Sequence, residues 1–186
     1  MAPELDLSAV ISAAAAPRQL RGRDDLAASG WTFWELRTLN RHRAIGLWRT
    51  DRSIGDAHVL EAEMRGTMQR NFKRRWWRGF AYGCVAELGA VPWSAKDLES
   101  LVDIYENAHG VLQWVVLVAR QSRSAIGVHT WMETFLTGVY GDTLQALERA
   151  GYTVTTGVRG KDGLLKFITG VSAARGVAFP EFHARA

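Results

Sequence analysis

Between Ala57 and Gly83, five large apolar residues, Met64, Met68, Phe72, Trp76 and Phe80, recur every four positions. At this spacing a helix gathers them into one slowly drifting row. Arg65, Arg70, Lys73, Arg74, Arg75 and Arg78 crowd the other faces, and a second row ends in Trp77. The segment therefore predicts an amphipathic, strongly basic helix around which the rest of the chain is arranged. Such a helix has three uses: docked on its own core with a solvated basic face, bound to nucleic acid, or laid on a membrane surface.

Charge favours a polyanion among these uses, because its distribution is uneven. The net charge is +4, yet residues 17 to 80 alone hold 14 Arg or Lys against 7 Asp or Glu, a balance of +7. A basic half of this kind suits an acidic partner. With 186 residues the chain can build one ordinary core. We expect an N-terminal arm over residues 1–22 and a single globular domain over residues 23–186. Within that domain, a basic helical part spans residues 23–83 and an α/β part residues 84–180. The lone cysteine, Cys84, forms no intrachain disulfide and no multi-cysteine zinc site, and its apolar neighbours make it a small core residue. The opening Met-Ala-Pro-Glu lacks the basic flank and apolar run of a secretory signal. The longest apolar run, Val111 to Ala119, is interrupted by Gln113 and is too short to span a bilayer. The expectation is a cytoplasmic protein.

Residues 23–43 place Leu26 before a glycine at position 30, and then Thr32 with Glu35 three positions later, a capping box. Leu36 and Leu39 would be the inward positions of the helix so opened. This order resembles a helix-turn-helix segment. The resemblance implies a recognition helix from Thr32 and sets Thr32, Phe33, Arg37, Arg41 and Arg43 toward DNA. A capped core helix with Trp31 and Trp34 buried satisfies the same residues.

Along the remaining chain, residues 4–15 allow a short alanine-rich helix ended by Pro17, with a loosely held arm as the simpler reading. Phe80 to Leu88 alternates as a strand, Ser94 and Asp97 cap a helix reaching His109, and Val111 to Ala119 reads as a buried strand. Thr130 and Glu133 cap a helix carrying Trp131, Phe135, Leu136, Val139, Tyr140, Leu144 and Leu147. Tyr152 to Val158 is a further strand, Arg159 to Gly163 a tight turn, and Leu164 to Ala174 a last helix. The expected fold is α+β or α/β, with a helix-rich N-terminal half followed by alternating strands and helices that form a small helix-covered sheet.

Chemistry has few anchors in this sequence. His129 and Glu133, four apart, would share a helix face and form an acid/base pair or two metal ligands. Arg159, Gly160, Lys161 and Gly163 would make either an anion nest or a plain turn. Phosphate-loop, dinucleotide and nucleophile-elbow motifs are absent. No cofactor and no metal are called for. The sequence thus points to a non-enzymatic nucleic-acid-binding protein, DNA before RNA. Its expected contacts are Thr32, Arg37, Arg41, Arg43, Arg65, Arg70, Lys73, Arg74, Arg75, Trp76, Trp77 and Arg78. The rival is an adaptor or homo-oligomer whose aromatic basic helix is a protein interface. A third reading is an enzyme using His129 and Glu133.

Overall fold

The computed structural model describes residues 5–26, 30–38, 41–50, 57–72, 79–88, 112–120, 123–129 and 134–156. In chain order these form α1 (Leu7–Ala15), β1 (Arg21–Gly22), β2 (Trp31–Arg37), β3 (Arg41–Thr50), α2 (Ala57–Asn71) and β4 (Gly79–Leu88). They continue with β5 (Leu112–Ala119), β6 (Ser124–His129), α3 (Thr134–Arg149) and β7 (Thr153–Thr156). Seven strands lie side by side in sequence order in one mixed sheet. The pairs β3–β4, β4–β5 and β6–β7 are parallel and the others antiparallel. Parallel neighbours need a crossover, and α2 supplies it between β3 and β4 while α3 supplies it between β6 and β7.

The mixed α/β class is as expected, but the N-terminal half is dominated by strands. The helix expected from Thr32 is strand β2, and Arg41 to Thr50 is its antiparallel partner, so the segment that resembles a recognition helix is a hairpin. Tertiary packing overrides the capping box. On one face Trp31 stacks on Phe33 and on Trp48, with ring centroids 5.5 Å apart in each pair; on the other, Trp34 joins the core with Ile45 and Leu47. A strand buried on both sides reads as a continuous apolar run without helical or alternating period. Glu35, instead of capping a helix, turns to Arg23 and His42.

The central basic helix is shorter than its periodicity suggests. Met64 and Met68 are fully buried on α2, Phe72 is buried one residue beyond its end, and the chain re-enters the sheet at Gly79. Trp76 and Trp77 lie outside the described residues, and Phe80 belongs to β4. At the end of α2, Asn71 donates its side-chain amide to the carbonyl of Thr67 at 2.9 Å. Gly46 brings this helix close to the sheet, since a Cβ there would lie 2.7 Å from Trp31 and 3.0 Å from Met68 Sδ.

The opposite face of the sheet is covered by α1 and α3. Leu7, Ile11, Ala14 and Ala15 join Trp34, Ile45, Val85, Trp114, Val116, Leu136, Val139 and Leu147 in one core. Instead of hanging loosely, α1 is packed there, and Trp34 Nε1 donates to Ser12 Oγ at 3.1 Å. Each large side chain so enclosed contributes about 1.5–3 kcal/mol. The strands expected near 80–88, 111–119 and 152–158 are β4, β5 and β7. Strand β6 was not expected; it holds His129, so the helical four-residue spacing to Glu133 is not realised. Glu133, the expected helices at 94–109 and 164–174 and the turn at 159–163 lie outside the described residues.

Candidate nucleic-acid interface

The β2–β3 hairpin sets the geometry of the basic residues. Its turn is closed by Thr38, whose backbone N–H donates to the carbonyl of Arg41 at 2.8 Å and whose hydroxyl accepts from the Arg41 N–H at 3.1 Å. Arg37 and Arg41 flank this turn and are both exposed. Because β3 and β4 are parallel in the register Arg41↔Gly79, β4 begins at the same end of the sheet. Phe72 reaches that end from α2, its ring edge-on to His42 and to Phe33 with centroids 5.6 Å apart in both pairs. Lys73, Arg74, Arg75, Trp76, Trp77 and Arg78 lie outside the described residues, but the chain on either side of them, at Phe72 and Gly79, is anchored beside the hairpin. Phe72 and Gly79, the described residues that bound this stretch, thus both stand at the hairpin end of the sheet.

Not every expected contact belongs there. Thr32 is half-buried on β2, and the five residues from it to Arg37 span about 17 Å of strand. Arg43 is buried, and its Nη1 donates to the carbonyl of His42 at 2.9 Å, a structural role within β3. Arg65 is exposed but lies seven residues before Phe72, about 10 Å along the helix axis. Arg70 is exposed and nearer, and its guanidinium folds back to donate to Thr67 Oγ1 at 2.9 Å.

Beneath the hairpin sits a set of charges around Glu35, the residue read from sequence as half of a capping box. The Glu35 carboxylate is nearly enclosed; one oxygen meets the Arg23 guanidinium and the other lies 2.5 Å from His42 Nε2. Arg23 is shared with Asp25 at 2.8 Å. The Asp25 hydrogen bond raises the Arg23 pKa further, and Arg23 in turn holds the Asp25 carboxyl below its usual range. An acid between Trp34 and Leu36 was the available signal, since a carboxylate is enclosed only when paired.

Other candidate sites fare differently. Cys84 is fully buried, and burial pushes its thiol well above the usual value, as befits an inert core residue. Among the described residues no three His, Cys, Asp or Glu side chains come together as a metal site. No described helix is long and apolar enough to cross a membrane. No protein family, curated protein or solved structure matches this chain.

Proposed function

We propose that this is a non-enzymatic nucleic-acid-binding protein, with DNA as the favoured target, that works from the hairpin end of its sheet. The observation that carries the reading is the meeting of Arg37 and Arg41 with the two anchored flanks of the Lys73 to Arg78 stretch. Arginines displace condensed counterions from phosphates, giving affinity that is strong in low salt and falls steeply as salt rises. Trp76 and Trp77 within that stretch supply rings on which unpaired bases stack, worth about 1–3 kcal/mol per base. A cytoplasmic location belongs to the same reading.

The test is fluorescence anisotropy of labelled mixed-sequence DNA over a salt series. Binding at about 50 mM salt that weakens by orders of magnitude toward about 200 mM is expected for several phosphate contacts. No binding at the low-salt end overturns the proposal. Replacing Arg74, Arg75 and Arg78 together by glutamine should lower the salt slope by up to about three. If that variant binds DNA like the parent while Trp76→Ala or Trp77→Ala sediments as smaller species, the stretch is a protein or self-association interface instead.

A further inference from the structure

We draw no further inference here: the strongest candidate, a pH-sensitive switch in the enclosed Glu35–His42 pair beneath the hairpin end of the sheet, carries nothing because Lys73, Arg74, Arg75 and Arg78, which follow Phe72 in the chain, lie outside the described residues, so the structure does not show every charge that faces the imidazole.

Discussion

The indole of Trp114 occupies the space that a side chain at Gly83 would need: a Cβ built on Gly83 would lie 2.1 Å from the ring. The two residues face each other across β4 and β5, next to an irregularity where Tyr82 pairs with Leu112 and Gly83 with Trp114, leaving Gln113 as the extra residue. This bulge sets Trp114 across its neighbour instead of beside it. Tyr140 then packs against Trp114 at 5.7 Å and puts its hydroxyl where a side chain at Gly127 would be.

Overpacking at this point should be felt by the whole fold. Gly83→Ala is expected to destabilise by about 1–3 kcal/mol, as for an added methyl in a filled core. Trp114→Ala should cost about 3–5 kcal/mol through the cavity it leaves. Because the two changes act on one contact, Gly83→Ala in a Trp114→Ala background should cost much less, a coupling of roughly 0.5–3 kcal/mol. Urea unfolding of the four proteins in the cycle measures this. Strict additivity would show that the ring does not lie on the glycine.

Gly138 offers the contrasting case. A Cβ there would meet Arg18 Nη2 at 2.2 Å, but that atom is the far end of a flexible chain. Arg18 donates to Asp142 Oδ2 and to the carbonyl of Ala14, both at 2.7 Å, tying the end of α1 to α3. Gly138→Ala gains roughly 0.8–1.0 kcal/mol of helix propensity and displaces a partly exposed ion pair worth about 0–1 kcal/mol. The net change in thermal stability should stay within about 1 kcal/mol of zero. A loss as large as that of Gly83→Ala would mean that Arg18 has nowhere else to go.

These contacts show which parts of the fold could be read from sequence. Strands β4, β5 and β7 were legible because short apolar or alternating runs are bounded by glycine and polar residues. The row of Met64, Met68 and Phe72 was legible because buried helical faces keep their period, although the row alone does not say where the helix stops. Strand β2 was misread because Thr32 and Glu35 satisfy a local capping rule, while the features that decide otherwise, stacking of Trp31 on Trp48 and packing of Trp34 under α1, are long-range. Strand β6 is short and carries Gly127, a weak strand former whose missing side chain makes room for Tyr140. Of the candidate interface, the cations themselves were visible, but that Gly79 begins β4 beside Arg41 depends on the parallel pairing of β3 with β4, which no local pattern encodes. Glu35 was assigned to a cap and Glu87 was overlooked because an acid in a strand acquires meaning only when its arginine partners, 12 and 38 residues away in sequence in the case of Arg23 and Arg49, are brought to it.

Alkaline pH should weaken the fold through Cys84. Burial raises its thiol pKa in the folded state, while the unfolded chain titrates near the ordinary value of about 8.5. Above that pH the unfolded state holds fewer protons than the folded one, so stability falls as pH rises, by up to about 1.4 kcal/mol per unit for one group. Below about pH 8.5 both states hold the proton and the contribution vanishes. Cys84→Ala should flatten the decline between about pH 8.5 and 10 in guanidinium unfolding; above that range Tyr140, whose hydroxyl is also raised by burial, adds its own share. An unchanged slope in Cys84→Ala would show that the thiol ionises freely in the fold.

The hairpin cations provide the sharpest test of the proposed interface, because they can be changed without touching the core. Arg37 and Arg41 stand exposed at the turn, whereas Arg65 stands exposed about two helical turns away from Phe72. If phosphates bind at the hairpin end, Arg37→Gln/Arg41→Gln should weaken DNA binding at low salt and lower the slope of log K against log salt by about two, roughly one counterion for each lost contact. Arg65→Gln removes one charge of the same kind and should leave the slope within about half a unit of the parent, since only direct neutralisation releases a counterion. Both variants keep the buried pairing of Glu35 with Arg23 and His42, so thermal melts should match the parent and changes in binding should not reflect lost structure. Equal effects from the hairpin pair and from Arg65 would mean that DNA is attracted by net charge alone and that the end of the sheet has no special part in holding it.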